Sequence, residues 1–285
     1  MAMEIDPQRA PAEADLEPGV DFFCGAQSQP REVWRAGALR FVRCARCGLV
    51  YADPRLTAEA RAREVYTEAY HAPRAVSPPL RRLKRLKRIL LSAIKPPERY
   101  ERRLWVVERH APAGALALLD VGCWTGEFVA WLQRRRPHWR VQGLEPVESA
   151  ARMARERHGA KVTTGSLTDC PFAAGSLDVV TMWHVLEHLD DPPAAVSGAR
   201  RLLKPGGLLA LRTPNYGSLY RRLYGGRWRG YRAGEHLYLF TVPTLRRLLE
   251  ASGFELLEPR GLALSARLAS STYVIARPAP AADAP

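Results

Sequence analysis

Two acidic residues and a glycine turn stand where a parallel sheet would bind a ligand. Asp120 follows the apolar run Leu116–Leu119 and precedes Gly122 and Gly126. Glycine permits a tight turn and a close approach of the backbone to a ligand. Glu145 ends the next apolar segment, where a carboxylate can accept hydrogen bonds from both hydroxyls of a ribose. The order of strand, turn, helix, strand and acid predicts a nucleotide-binding crevice.

The turn departs from the dinucleotide fingerprint. Started at Gly122, the pattern G-x-G-x-x-G requires glycine at positions 124 and 127, which are Trp124 and Glu127 here. What remains, D-V-G-C-x-T-G, resembles motif I of the class I S-adenosylmethionine-dependent methyltransferases, although Trp124 replaces the usual middle glycine. The resemblance implies that S-adenosylmethionine is bound by Asp120, Gly122, Cys123, Gly126 and Glu145. The alternative is an ordinary turn in which Asp120 caps the following helix.

Four further segments resemble the same family in order and spacing. They are CPFAAGSLDVV (170–180), MWHVLEHLDDP (182–192), RLLKPGGLLALRTPN (201–215) and GGRWRGYRAGEHLYLFTVPTLRRLLEASGFE (225–255). With RCARCGLVYADPRLT (43–57), the chain is similar over about residues 21–275 to bacterial methyltransferases that carry an N-terminal cysteine knuckle. The resemblance implies an α/β fold with a doubly wound, seven-stranded, Rossmann-like sheet, a small cysteine-knuckle module and a basic helical connector.

The adenine end of the cofactor has weaker sequence support. In the family an acid commonly follows the third strand and binds the exocyclic amine, whereas this chain has Ser166 there. Ser166, the Leu167 backbone and Asp169 are the candidates. For Asp169, stabilisation of its own loop is an equal alternative.

Three residues are candidates for handling a proton of the acceptor. His184 follows the strand Val179–Met182, at the segment that borders the sulfonium in this family, and is also a cofactor-binding candidate. Tyr231 and His236 lie in the insertion that caps the substrate pocket in related enzymes. Histidine has an ordinary pKa of about 6.5 and is suited to proton removal. We expect the three to meet at the pocket mouth. The alternative is that His184 and the neighbouring His188 satisfy buried polar groups and that Glu187 caps the following helix.

The N-terminal cysteines have half the pattern of a zinc ribbon. Cys44-x-x-Cys47 forms one knuckle, and Cys24 resembles the second ligand of the other. The family's first cysteine falls at Asp21. A zinc site of Asp21, Cys24, Cys44 and Cys47 is one expectation, and a knuckle that has lost its metal and is held by backbone hydrogen bonds is the other.

Composition indicates a globular protein. The chain has 285 residues, 47% of them hydrophobic, and no apolar run near the ~20 residues needed to cross a bilayer. The first residues are acidic and contain proline, unlike a signal peptide, and five cysteines fit a reducing compartment. We expect a cytoplasmic location, with peripheral membrane contact as an addition.

A basic stretch separates the knuckle from the glycine turn. Residues 74–109 contain twelve Lys or Arg against three Glu, and leucines recur near helical spacing in PLRRLKRLKRILLSAIK (79–95). Such a helix can pack on the catalytic domain or lie on an anionic membrane through residues 80–95. Nucleic acid is the least favoured partner, because no aromatic residue interrupts the basic run to stack on bases.

These observations predict a domain plan and a function. We expect disorder over 1–20 and 277–285, the cysteine-knuckle module over 21–56, the basic helical connector or lid over 57–110, and the methyltransferase domain over 111–276 with a capping insertion at about 216–240. The predicted reaction is methyl transfer from S-adenosylmethionine to an O or C nucleophile of a small molecule, such as a sugar, quinone-like or lipid-linked acceptor. The alternatives are another transfer on the same fold, or a zinc-ribbon and basic-helix protein that binds nucleic acid or protein and keeps a degenerate pocket.

Overall fold

Short antiparallel strands form the N-terminal part of the chain. The computed structural model describes residues 11–65, 99–258 and 269–280. Strand β1 (Leu16–Glu17) pairs with β5 (Arg55–Leu56), and β3 (Leu39–Cys44) pairs with both β2 (Pro30–Ala36) and β4 (Val50–Ala52). Helix α1 (Ala58–Glu64) follows Thr57, whose side chain accepts a hydrogen bond from the backbone N–H of Ala60. Strand β1 lies within the segment for which we predicted disorder.

A seven-stranded sheet forms the centre of the described residues. In chain order its strands are β6 (Ala117–Val121), β7 (Arg140–Glu145), β8 (Val162–Thr164), β9 (Leu177–Trp183), β10 (Leu203–Pro214), β12 (Phe254–Glu258) and β13 (Ser271–Pro278). Their spatial order is β12-β13-β10-β9-β6-β7-β8. Strands β6 to β10 are parallel to one another, whereas β13 is antiparallel to both β10 and β12. This sheet confirms the predicted fold class.

Helices cover both faces of the central sheet. They are α2 (Arg99–Glu108), α3 (Glu127–Arg135), α4 (Glu148–His158), α5 (Pro192–Leu202) and α7 (Val242–Ala251). The short helix α6 (Leu219–Tyr224) has no buried residue and belongs to the insertion after β10. All five residues of β6 are buried, as expected for a central parallel strand with helices on both sides. Helix α7 begins with a capping box between Thr241 and Thr244, which satisfies backbone N–H groups that the first turn leaves unpaired.

One strand joins the capping insertion to the N-terminal part. Strand β11 (Tyr238–Leu239) pairs with β4, which extends the N-terminal sheet to the order β11-β4-β3-β2. The buried guanidinium of Arg61 in α1 also donates hydrogen bonds of 2.5 and 2.6 Å to Asp190, which follows β9. The N-terminal part and the insertion therefore form a continuous structure, and the predicted domain boundaries stay a prediction.

None of the helices in the described ranges combines the length and the apolar character that crossing a membrane requires. The basic helix predicted over residues 79–95, with its membrane contact at 80–95, lies outside the described residues. The same holds for residues 1–10 and 281–285 of the predicted disordered ends.

Candidate active site

A large cavity opens at the carboxyl ends of the parallel strands. Its volume is about 1690 Å³, more than the roughly 300–1,000 Å³ of a typical small-molecule pocket. It can therefore hold a cofactor and a second molecule together. Nine of the predicted site residues line it: Asp120, Gly122, Cys123, Glu145, Ser166, Leu167, His184, Tyr231 and His236. Gly126 and Asp169 are not among the described residues that line it.

The turn after β6 contains a tryptophan in a glycine-like conformation. Gly122 and Gly126 have φ values of 63° and 70°, and Trp124 between them has φ 57°. A left-handed conformation costs a residue with a side chain about 1–2 kcal/mol. The backbone N–H of Trp124 donates a 2.8 Å hydrogen bond to Oε2 of Glu145, which opposes that cost. The turn thus keeps its shape without the usual middle glycine.

The two glycines of the turn face different neighbours. A Cβ added at Gly126 would lie 2.6 Å from the Cβ of Ala154 in α4 and 3.0 Å from that of Ala160. A Cβ added at Gly122 would lie 2.6 Å from the Val185 side chain. Gly126 therefore allows α3 to pack closely on α4, and Gly122 allows the loop after β9 to approach the turn.

Asp120 is a buried carboxylate at the end of β6. Its Oδ1 accepts a 2.6 Å hydrogen bond from the Thr181 hydroxyl of β9. Burial raises the pKa of Asp120 to about 6, against the opposing effects of the Arg103 guanidinium and the Thr181 hydrogen bond. Arg103 lines the same cavity. Asp120 can therefore change its charge when a cation binds beside it.

Glu145 is buried at the end of β7, next to Asp120. Its Oε1 accepts a 3.1 Å hydrogen bond from the backbone N–H of Val147, while Oε2 accepts the one from Trp124. Burial raises the pKa of Glu145, and the two N–H groups act in the opposite direction. A carboxylate offers about four lone-pair positions, so two remain for the hydroxyls of a ligand.

The loop after β8 is held by its own side chains. Oδ1 of Asp169 accepts hydrogen bonds from the backbone N–H of Ser166 at 2.8 Å and from its hydroxyl at 2.5 Å. Asp169 thereby shapes the loop whose residues Ser166 and Leu167 line the cavity. The predicted adenine contact of Asp169 stays a prediction.

Three histidines surround the carboxylate of Glu187. Nδ1 of His184 lies 2.9 Å from Oε1 of Glu187, which is completely buried. His188 and His236 pack edge to face, with ring centroids 4.8 Å apart. Burial opposes the charge on Glu187, but the hydrogen bond of His184 and the neighbouring imidazoles lower its pKa. The structure thus brings two of the predicted residues, His184 and His236, to one shared carboxylate.

Tyr231 lines the cavity within a cluster of aromatic side chains. Its ring stacks on Trp34 of β2 with centroids 5.0 Å apart and an interplanar angle of 6°, and it packs edge to face on Trp228. Its hydroxyl accepts a 3.4 Å hydrogen bond from Arg221. Tyr231 therefore belongs to an aromatic wall built by the N-terminal part and the insertion together.

The sequence motifs do not point to Arg103. Its guanidinium carbon lies 5.1 Å from the ring centroid of Phe128 and 5.3 Å from that of Trp183, in cation–π contact. In the sequence Arg103 is one of many basic residues of the stretch before the glycine turn. Only its helix, α2, brings it to the cavity, and no local pattern signals this.

The four predicted metal ligands of the N-terminal part come together. One donor atom each from Asp21, Cys24, Cys44 and Cys47 lies within 4.8 Å of all the others. Asp21 also accepts hydrogen bonds from the backbone N–H groups of Phe23 and Cys24 at 3.0 and 3.1 Å. This carboxylate therefore organises the knuckle as well as offering a ligand.

Curated relatives share part of this chain. A probable S-adenosylmethionine-dependent methyltransferase of Mycolicibacterium smegmatis is 31% identical over 157 residues, which are 53% of this chain and 57% of that protein. A ubiquinone biosynthesis O-methyltransferase of Pseudomonas paraeruginosa is 34% identical over 117 residues, 39% of this chain and 49% of that one. The matched part thus spans about half the length of these relatives.

A solved structure and a family of protein domains are also similar to this chain. An S-adenosylmethionine-dependent methyltransferase structure from Mesorhizobium loti has a TM-score of 0.46 and 21% identity, and the match covers 60% of this chain and 95% of that one. A model of a methyltransferase domain family matches residues 74–258. This match takes in the glycine turn, the strand ends with Asp120 and Glu145, and the histidine segment. The chain therefore belongs to this family of methyltransferase domains.

Proposed function

We propose that this protein transfers a methyl group from S-adenosylmethionine to an oxygen or carbon nucleophile of a small molecule. The observation that carries the proposal is the pair of buried carboxylates, Asp120 and Glu145, at adjacent strand ends in one cavity. S-adenosylmethionine supplies a methyl group on a positively charged sulfonium. Carboxylates at the ends of adjacent parallel strands fit a ligand that has both cationic groups and ribose hydroxyls.

Each part of the cofactor has a fitting residue in the cavity. Asp120 meets the amino-acid end, where an ammonium group stabilises its charged form. Glu145 accepts the ribose hydroxyls through its two remaining lone-pair positions. The loop at Ser166 and Leu167 borders the adenine, and Asp169 holds that loop in shape. Gly122 and Cys123 supply the backbone along which the cofactor lies.

His184 is the residue that we assign to the acceptor's proton. Its Nδ1–H donates to Glu187, so the neutral ring carries its lone pair on Nε2. The His184 side chain is 35% exposed and lines the cavity. A base held by a carboxylate is oriented before the acceptor arrives. His236 shapes the same wall, and Tyr231 positions the acceptor from the aromatic side.

The aromatic wall favours an acceptor with a flat or apolar part. Trp34, Trp228 and Tyr231 line the same cavity as the histidines. Aromatic side chains offer large contact areas to rings and chains. Because the Pseudomonas relative is named as an O-methyltransferase of ubiquinone biosynthesis, an oxygen nucleophile on a quinone-like ring is the first acceptor class to test. Sugar and lipid-linked acceptors are the next classes to test.

We infer a structural zinc ion at the N-terminal cluster. Three cysteines and Asp21 with donor atoms within 4.8 Å of one another support four-coordinate zinc, with a carboxylate in place of the fourth thiolate. The ion would fix the turn between β3 and β4, and β3 pairs with β2, the strand that contributes Trp34 to the aromatic wall.

The deciding experiment is calorimetric titration with S-adenosylmethionine, S-adenosylhomocysteine and NAD, followed by screening of metabolites for methylated products. We expect saturable binding of the first two ligands. Binding of NAD without response to S-adenosylhomocysteine would reject the proposal. Cofactor binding without any methylated product would favour the alternative of a binding protein with a degenerate pocket.

A further inference from the structure

Three potential metal ligands meet at the wall of the cavity, far in sequence from the cysteine knuckle. One donor atom each from Glu187, His188 and His236 lies within 4.8 Å of the other two. Glu187 and His236 are buried, with exposed fractions of 0% and 3%. All three residues also line the cavity. Two imidazoles and one carboxylate form a common ligand set for divalent transition metals.

Backbone carbonyls fix the orientation of both imidazoles. Nδ1 of His188 lies 2.9 Å from the carbonyl oxygen of Glu235, and Nδ1 of His236 lies 2.8 Å from that of Gly230. A carbonyl only accepts, so each Nδ1 is the protonated nitrogen that donates. In each neutral ring the lone pair is therefore on Nε2. Histidines that bind metals are typically held in this way by a carbonyl behind the ring.

Glu187 has one oxygen without a partner. Oε1 pairs with His184, but Oε2 is buried and has no hydrogen bond within the described part of the chain. An unpaired carboxylate oxygen away from water costs free energy, and a cation removes that cost. The fold therefore holds a buried negative charge next to two imidazoles whose protonated nitrogens donate to backbone carbonyls.

We propose that Glu187, His188 and His236 bind one divalent transition-metal ion of the zinc type. The imidazole nitrogens favour such an ion over magnesium, which prefers oxygen ligands. With bonds of about 2.0–2.2 Å, ligand atoms around a tetrahedral ion lie roughly 3.3–3.5 Å apart, so closure needs side-chain movements of about 1 Å. The site goes beyond the proposed methyl transfer, because binding of the ion does not depend on that reaction.

Three protein ligands leave a coordination position open. Because all three residues line the cavity, that position faces the space that a second molecule would occupy. A catalytic zinc ion has this arrangement, with three protein ligands and an open fourth position. On the basis of the proposed function, an acceptor that binds through oxygen would fill it.

The test is a cobalt(II) titration of the full-length protein, followed by absorption spectroscopy and elemental analysis. Cobalt bound to the cysteine knuckle produces sulfur-to-cobalt charge-transfer bands, whereas cobalt at the proposed site produces only ligand-field bands. We expect one equivalent with nitrogen and oxygen ligands in addition to any equivalent with sulfur ligands. Zinc should displace it, and a large excess of magnesium should not.

Two variants and one control assign the signal. Glu187→Gln and His236→Gln should each weaken the sulfur-free equivalent by at least about 10–100-fold, because each removes a direct ligand. His184→Gln keeps a hydrogen-bond donor beside Oε1 of Glu187 and should retain the ion. The spectra of the knuckle should stay unchanged in all three variants, which also serves as a check of folding.

Three outcomes would overturn the proposal. One is a wild-type protein that binds no cobalt equivalent with nitrogen and oxygen ligands. Oε2 of Glu187 would then be expected to bind a water molecule rather than a metal ion. Another is equal cobalt affinity in wild type, Glu187→Gln and His236→Gln. If both variants fail to fold, X-ray absorption of the cobalt-loaded wild type decides, because absence of imidazole scattering rejects the site. These readouts need no methyl acceptor, so failure of the proposed function would leave them interpretable.

Discussion

The backbone N–H of Trp124 and Oε2 of Glu145 are joined by a 2.8 Å hydrogen bond that links the turn after β6 to the end of β7. Glu145 thus has two roles. Its carboxylate holds the turn in shape, and we also assign it to the ribose hydroxyls of the cofactor. Loss of the carboxylate would release a tryptophan held at φ 57° as well as remove a ligand contact.

Glu145→Ala is therefore expected to lower both cofactor affinity and stability. S-adenosylhomocysteine binding should weaken by about 1–3 kcal/mol, since two hydroxyls lose a charged acceptor. The melting temperature should fall in the absence of ligand as well. Calorimetry and thermal unfolding measure the two effects, with Glu148→Ala as the control at an exposed carboxylate three residues on. Unchanged cofactor affinity with a lowered melting temperature would show that Glu145 has a structural role only.

Cofactor affinity should depend on the charge of Asp120. The pKa of Asp120 is about 6 in the folded protein, above the ordinary 3.8. The contribution of Asp120 to the free energy of unfolding is therefore greatest below pH about 4, where the carboxyl is protonated in both states. This contribution is lost as the pH rises through 6. A cationic ligand instead binds more tightly to the protein in which Asp120 is charged. S-adenosylmethionine affinity should therefore rise between pH 5 and 7, by up to about tenfold per pH unit below 6.

The measurement is calorimetric titration at several pH values in buffers of different ionisation enthalpy, which reports the proton released on binding. Asp120→Asn keeps an acceptor for the Thr181 hydroxyl and should bind with little pH dependence over this range. A wild-type affinity that does not change with pH would show that the cofactor's cationic end lies elsewhere.

Loss of His184 should affect turnover more than binding. His184→Gln is expected to lower the rate of methyl transfer by about 10²–10⁴-fold, because the acceptor's proton loses its base, with cofactor affinity nearly unchanged. The assay uses the acceptor found in the metabolite screen. His138→Gln is the matched control, since His138 is exposed and outside the cavity lining. Equal rates in both variants would leave positioning of the reactants as the main source of acceleration.

The packing requirement at Gly126 can be separated from its backbone conformation. Gly126→Ala places a methyl group 2.6 Å from Cβ of Ala154 at φ 70°, and we expect a loss of about 2–4 kcal/mol of unfolding free energy. Gly159→Ala has a similar φ of 62° with no atom within 4 Å of the new Cβ, so it should cost only about 1 kcal/mol. Chemical denaturation of both variants gives the difference. Equal losses would contradict close packing of α3 on α4.

Zinc content should follow the cysteines of the knuckle. Protein purified without chelator is expected to hold zinc at this cluster, and Cys24→Ser, Cys44→Ser and Cys47→Ser should each remove it. Asp21→Ala should cause a smaller loss of zinc, together with a lower melting temperature, because Asp21 also accepts two backbone N–H groups. Elemental analysis measures the number of zinc ions per protein chain. If the cluster holds no zinc and Cys44→Ser melts as the wild type does, backbone hydrogen bonds alone hold the knuckle.

The central sheet could be predicted because its signals are local. Apolar runs, glycine turns and strand-end acids follow one another in fixed order, and the central strands β6 and β9 are short and almost completely buried. The convergence of Asp21 with three cysteines was also predictable, because the cysteine-knuckle proteins that the N-terminal segment resembles have a cysteine at that position. Both predictions depend on spacing along the chain rather than on distant contacts.

Other features of the site depend on contacts between distant segments. Glu187 stands three residues from His184, yet its position beside His236 follows only from the folding of the insertion over β9. Arg103 reaches the cavity on a helix whose sequence indicates a basic surface. The conformation of Trp124 depends on Glu145, which is 21 residues away. No periodicity or motif records such pairings, so they could not be read from the sequence.

The pairing of β4 with β11 has a consequence for how the chain is made. Val50 and Leu239 are partners across this edge, so most of the polypeptide lies between them. During synthesis the N-terminal sheet leaves the ribosome long before its outermost strand exists, and domains generally fold in the order in which they emerge. Until then one edge of β4 has unpaired backbone N–H and C=O groups, which can pair with another chain and cause aggregation. We therefore expect the nascent N-terminal segment to depend on chaperones until residue 239 has been translated.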